Sequence, residues 1–454
     1  MTPVLLLRYL VPMYGWLQRT PPASRLTVLL VSLLAAFATG PAFGATIRLH
    51  AASTANGPAP DRDSIDYRRF DWTRLRAGDV VELLAGTYHG TLTISARGRA
   101  DAPVMIRAAK GAVPIVVGGI AVSGGQWVTI SGLTLTNPKG IAIGIREGAS
   151  HVTVENNDIH SSGLGIWIGA AAKGSHRISG NRIRNSRTHG IAIDGINLGA
   201  EEMTAIVGNW IAGNGHHGIE IHGSRYRVEG NRVTANGASL PGTSGIHCFS
   251  RSEKEGTGRF NVIRNNIVWN QRDANGPDGN GIQLDRWCDG NEVTGNTIFA
   301  NDGAGISVFH AANNRIEGNR VHGNMLDAGR SHIPRIRGDV VITNDVDLPP
   351  RTIGNQVLSN RITATRESNA ALLLDADTAR ATAIVKNSLS HAAGGALIST
   401  GPNQSLSISQ AQSRFAEIKD NLEAALPEDS PQAPQAPTGP VGHAPSPQRN
   451  SGRF

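Results

Sequence analysis

Between residues 140 and 325 the chain alternates short apolar strands with polar, turn-forming stretches at a nearly constant interval. A Gly-Ile strand begins at Gly140, Gly165, Gly190, Gly218, Gly245, Gly281 and Gly305. After a variable loop comes Asn-x-(Ile/Val), at Asn157, Asn181, Asn209, Asn231, Asn265, Asn296 and Asn319, with weaker copies at Asn360 and Asn387. Most steps are 22 to 28 residues, with longer ones where loops are inserted. Repetition at this period marks a stacked architecture in which each unit buries its apolar side only against its neighbours. The pattern predicts an all-β chain folded as a single-stranded right-handed parallel β-helix, a solenoid whose long outer face suits a linear polymer.

The strand pattern extends both ways from the clear repeats. It starts at Val80–Leu84 and runs through Leu92–Ser95, Val104–Ala108, Ile115–Val117 and Trp127–Leu135; weaker coils follow at Val357–Ile362, Ala371–Leu374, Ala383–Leu389 and Ala396–Ile398. Blunt solenoid ends expose strand edges, so caps are expected: a short helix at Tyr67–Leu75 and a helical segment at Ala411–Ala425. The irregular stretch Arg330–Pro350 reads as a loop or flap. Residues 45–425 thus form one domain, and residues 426–454, rich in Pro, Ser, Gln and Gly, read as a disordered tail. Residues 1–44 read as an export signal. Arg19 and Arg25 precede the apolar run Leu26–Ala38, which falls short of the ~20 residues of a spanning helix, and Ala42-Phe43-Gly44 offers small residues for cleavage. The expected location is periplasmic or secreted, with a cleaved leader and a retained anchor both open.

Composition adds little that the pattern had not implied. The 54 glycines suit a chain that turns every few residues, and 5% aromatic content argues against a sandwich core of large rings. Loss of the leader with Arg8, Arg19 and Arg25 lowers the formal charge from +7 to +4. That mild basicity is consistent with an anionic polysaccharide partner; no nucleic-acid partner is expected. Two cysteines make no disulfide framework: Cys248 reads as core, and a Cys248–Cys288 bridge between coils is open in an oxidising compartment.

The asparagine repeats are expected to stack as a structural ladder. Chemistry is sought instead on the outward positions, two and four residues after each repeat glycine, because alternate side chains face opposite sides of a strand. The early coils carry Ala142 and Gly144, then Trp167 and Gly169. Later ones present Ala192 and Asp194, Glu220 and His222, His247 and Phe249, Gln283 and Asp285, and Ser307 and Phe309. Arg251, Arg286 and His310 follow these strands, and His189 and His217 precede two of them. A solvated face explains any one of these residues; together, on coils stacked ~4.8 Å apart, they predict a site. Trp167, Phe249 and Phe309 are candidate sugar platforms, with Asp194, Gln283 and His310 as further substrate contacts. A metal is a second possibility: His216, His217, Glu220, His222 and His247 offer transition-metal ligands without a known spacing, and Asp194 or Asp285 offers oxygen to calcium.

The strand Gly281-Ile282-Gln283-Leu284-Asp285-Arg286, followed by Gly305-Ile306-Ser307-Val308, resembles the periplasmic mannuronan C5-epimerases, which carry a Leu-Asp-Arg strand. One coil earlier, Gly245-Ile246-His247-Cys248-Phe249-Ser250-Arg251 looks like their strand ending in Ser-Arg. Their Asp-Pro-His-Asp motif with the catalytic His is matched by Glu220-Ile221-His222-Gly223, which lacks the second Asp. Ala77-Gly78-Asp79 through Gly86-Thr87-Tyr88, with Pro103-Val104-Met105-Ile106-Arg107-Ala108, resembles the opening of β-helix alginate and chondroitin lyases. The resemblance covers roughly residues 75–325 and implies an epimerase or lyase that removes the C5 proton of a uronate polymer. Epimerisation returns that proton on the opposite face; a lyase expels the C4 oxygen. His222 would be the base. Arg251 or Arg286 would neutralise the substrate carboxylate, Glu220 and Asp285 would tune the base, and His247 would supply or share a proton. No cofactor is required on this reading, and polysaccharide export machinery is a candidate partner. A glycoside hydrolase using two of Asp194, Glu220 and Asp285, or a non-catalytic carbohydrate-binding β-helix, are the alternatives.

Overall fold

The computed structural model describes residues 44–52, 61–199, 202–274, 276, 278–327, 337–401, 404–426 and 435. The leader read at 1–44 and the tail read at 426–454 fall almost wholly outside them.

Three parallel sheets wind into one right-handed solenoid, with 15, 13 and 13 strands among the described residues. Each regular coil gives one strand to each sheet, and equivalent residues of successive coils lie side by side. In the third sheet the row Ile166, Ile191, Ile219, Ile246, Ile282, Ile306 and Val340 runs unbroken. All seven are fully buried. This inward stacking of branched aliphatics is the core, and it follows from apolar residues recurring once per sheet per coil.

The turn between the first two sheets explains the asparagines. A residue in the left-handed conformation precedes each ladder Asn: Gly180, Gly208, Gly230, Gly295 and Gly318 at φ 62° to 65°, Asn156 and Asn265 at 53° and 54°, and Ser359, Lys386 and Asp420 at 53° to 57°. Glycine and asparagine tolerate that conformation best. Asn265 is therefore the turn residue, and Asn266 is the rung, one residue later than the repeat suggested. The rungs are Asn157, Asn181, Asn209, Asn231, Asn266, Asn296, Asn319, Asn360, Asn387 and Asn421. Two further ladders went unread: Asn214, Asn236, Gln271, Asn301, Asn324 and Asp339, and Asn261, Asn291, Asn314 and Asn355.

Several expectations need correction. Tyr67–Leu75 is two short 3-10 turns, Tyr67–Arg69 and Trp72–Arg74, each opened by an Asp side chain. Trp127–Leu135 is two strands split at Gly132. Within Arg330–Pro350, Gly338–Thr343 is a fully buried strand that continues the third sheet, so this stretch is no simple flap; residues 328–336 lie outside the described set. At the C-terminal end the helix is Ile408–Arg414, opened by a Ser407/Gln410 capping box, and short strands follow where helix was expected. Cys248 and Cys288 are both buried and free, their sulfurs 2.8 Å apart.

Asn296 shows what one rung does. Its Oδ1 accepts from the backbone N–H and Nδ2 of Asn266 at 2.9 and 3.0 Å, and its Nδ2 donates to Ile263 O and Asn319 Oδ1. Asn296→Ala strands a buried N–H and a buried carbonyl, so stability should fall by about 3 kcal/mol in denaturant unfolding. A loss under about 0.5 kcal/mol would show that the ladder only follows the coil.

Candidate active site

From Gly165 onward the outward alternation holds. Trp167, Ala192, Glu220, His247, Gln283 and Ser307 form one row on the third sheet, ending against Val341. The coil before departs from the repeat: Ile143, not Ile141, stacks on Ile166, and Gly144 lies beside Trp167. The Gly140 copy is thus two residues out of register, and Ala142 is buried. A parallel row holds Asp194 beside His222, with the Phe249 ring stacked on His222 at 4.6 Å.

The first cluster is centred on His222. Its Nδ1 lies 3.4 Å from Asp194 Oδ1, and its Nε2 is 2.9 Å from Glu255 Oε2 without hydrogen-bond alignment. Arg251 joins the two acids, 3.0 Å from Asp194 and 3.5 Å from Glu255. Burial raises the Glu255 carboxyl, but His222 and Arg251 outweigh it and hold it below its usual value. His222 itself is only 1% exposed, so neither ring nitrogen is free to meet a substrate while Glu255 stays in place. Glu255 was not anticipated. It sits in a 3-10 turn, Glu253–Glu255, and only its four-residue spacing from Arg251 hints at a role.

The second cluster is centred on His247. Its ring stacks between His217 at 4.3 Å and Phe249 at 5.4 Å, and its Nε2 is 3.5 Å from Asp285 Oδ2. Burial pulls the His247 pKa down, yet Asp285 and Glu220 more than offset this and raise it. Asp285 is pushed up by burial and pulled further down by His247 and Arg286, so it stays ionised. Glu220 is raised by burial, against the pull of His247 and His222. Its carboxylate is 3.1 Å from His189 Nε2 and 4.0 Å from His217 Nε2. Two carboxyls shifted in opposite directions around one imidazole give a donor, an acceptor and a proton carrier on adjacent coils.

The remaining expected residues divide. Arg286 makes a two-pronged contact with Asp345, which sequence reasoning missed, and covers the Phe309 ring at 5.5 Å. Gln283 is held by Ser244 Oγ and Asn280 Nδ2, both donating to its Oε1. Trp167 is half-buried beneath Arg146, two coils before Glu220. Phe249 is wedged between imidazoles rather than presented as a free platform. His310 lies 2% exposed, accepts the Asp345 backbone N–H and packs edge-on to Trp287, outside both clusters. The two aspartates suggested for calcium are engaged by cationic partners, Asp194 by Arg251 and Asp285 by His247.

The opposed shifts set a pH dependence. His247, raised on folding, adds stability below the ordinary histidine value and loses it as pH climbs through its raised value; Asp285, lowered, adds stability above the carboxylate range and loses it as pH falls through its lowered value. Buried neutral histidines act the other way: His189, drawn down to about 3, and His176, to about 4, cost stability as pH falls below the ordinary value. In Asp285→Asn, burial should dominate His247 and move its NMR-monitored pKa below the ordinary histidine value. An unchanged titration would show that the pair is not coupled.

A family model described as right handed beta helix region matches residues 118–276 and 256–346. No curated protein matches the sequence. Among solved structures, the chain is similar to the A-module of the mannuronan C-5 epimerase AlgE6 of Azotobacter vinelandii, 16% identical over 77% of this chain and 91% of that one, TM-score 0.56. It is similar to the A-module of AlgE4 from the same organism, 15% identical over 71% and 91%, TM-score 0.51. It is also similar to a mannuronic acid specific polysaccharide family 6 lyase from human gut microbiota, 14% identical over 78% and 87%, TM-score 0.51. At these identities the likeness is one of fold.

Proposed function

Because the chain belongs to the right-handed β-helix family, we propose that its third sheet is a groove for an anionic, uronate-containing polysaccharide, and that the Glu220, His247 and Asp285 cluster removes and returns protons at C5 of the sugar. The observation that carries this is geometric: Glu220 and His247 are neighbours on one outward row and Asp285 lies 3.5 Å from His247, with the two carboxyls shifted in opposite directions. The fold neighbours that act on mannuronan support it. Export to the periplasm or the cell exterior belongs to the same proposal. Among the described residues no helix is long and apolar enough to cross a membrane.

C5 lies beside a carboxylate whose negative charge opposes carbanion formation, so a cation or strong donors must meet it. Arg251 and Arg286 are guanidinium groups that act on Glu220 and Asp285, and each would exchange its present acid for the substrate's. His247, its pKa raised by Asp285 and Glu220 against burial, is positioned to deliver a proton, and Glu220, made more basic by burial, to accept one. Delivery to the C4 oxygen gives β-elimination; delivery to the far face of C5 gives the epimer. His222 then serves chiefly to fix Asp194, Arg251 and Glu255, rather than as the base expected from sequence.

A hydrolase reading draws on the same shifts, with Glu220 as a protonated acid and Asp285 as an ionised partner. Incubation with uronate polymers in deuterated water separates the readings. Ultraviolet absorbance from unsaturated ends marks a lyase, deuterium at C5 without cleavage an epimerase, and reducing ends alone a hydrolase. His247→Ala should lower turnover about 100-fold or more while polymer binding changes less than about threefold. Equal losses in turnover and binding would instead identify a site that only grips sugar.

A further inference from the structure

We propose that His189, His216 and His217 form a binding site for a divalent transition-metal ion of the zinc class. One ring nitrogen from each lies within 4.8 Å of the other two. The three residues immediately precede two neighbouring strands of the third sheet, Ile191–Asn197 and Ile219–Ser224, so the stacking of coils brings them together.

The hydrogen bonds leave this cluster short of positive charge. His216 Nε2 points at Pro241 O, 3.2 Å away, and donates its proton there, so Nδ1 carries a lone pair. That lone pair faces His189 Nε2 at 2.9 Å. The same His189 nitrogen lies 3.1 Å from Glu220 Oε2, so two acceptors converge on one N–H. The other ring nitrogen of His189 is buried without a partner. A dication in place of that shared proton satisfies both acceptors at once.

The surroundings suit coordination. A ligating histidine characteristically donates its other N–H to a carbonyl, as His216 does. His217 Nδ1 lies between the backbone N–H of Ser244 at 2.9 Å and its carbonyl at 3.3 Å. Coordination through Nε2 shifts the ring proton to Nδ1, which gives up the bond accepted from the Ser244 N–H and donates to that carbonyl instead. Ligands on a tetrahedral zinc ion stand roughly 3.3 Å apart, so the His189–His216 pair need only open slightly. The fourth position faces Glu220, on the polymer-facing row. The inference does not depend on which polymer the groove takes.

The test uses the untagged full chain, stripped with chelator and titrated with Co2+ and then Zn2+ in the absence of polysaccharide. One equivalent of Co2+ should bind with the visible absorption of a tetrahedral site, and Zn2+ should bleach it. His189→Ala and His216→Ala should each weaken binding about 100-fold or more. His322→Ala, on the second sheet, should bind as the wild type does. Where an alanine variant departs from the wild-type circular dichroism, His189→Gln or His216→Gln replaces it. No uptake at micromolar metal, or uptake that survives both substitutions, overturns the site. Failure here leaves the polysaccharide reading standing, and failure of the polymer assay leaves the metal site standing.

Discussion

Everything in this molecule depends on register between coils, and the buried amide ladders fix it. Each rung binds the backbone of the coil beside it as well as the next amide, so a coil that slipped by one residue would strand donors and acceptors in an apolar interior. The aliphatic rows would tolerate a slip of two far better, since they would still face inward. Hydrophobic burial therefore supplies the drive to stack, and the amides determine which residue meets which. The site inherits that alignment. Glu220, His247 and Gln283 belong to different coils and meet only because the ladders align their strands.

The fold was legible because its two signals recur. One glycine or asparagine in the left-handed conformation and one amide per coil produce a period that a single sequence displays. The errors fell where the signal is shared or doubled. At Asn265 and Asn266 two adjacent asparagines fill the two roles, and the repeat pattern took the wrong one. At Gly140 the strand slid by two, a slip that hydrophobic alternation cannot detect. Gly338–Thr343 was missed because Asp339 stands where the other strands carry the repeat glycine, as Gly305 does before Ile306.

The site was legible in its strand-borne half. Outward positions on regular strands are set by parity, so Asp194, Glu220, His222, His247 and Asp285 could be placed together before any coordinates. Glu255 and Asp345 come from the segments between and beyond those strands, where no periodicity reports direction. Glu255 closes off His222, and Asp345 engages Arg286. Sequence parity thus named the members of the cluster but could not tell which acid each imidazole meets.

The ten-rung ladder also places the candidate site within a one-dimensional cooperative system. A stacked array loses order from its ends inward, because only a terminal coil lacks a neighbour. The row from Glu220 to Gln283 spans the third to sixth rungs, between Asn209 and Asn296. The side chains of Glu220, His247 and Gln283 thus occupy the interior of the array, where thermal fraying has furthest to travel. The frayable ends are left to the turns and short helices that cap them.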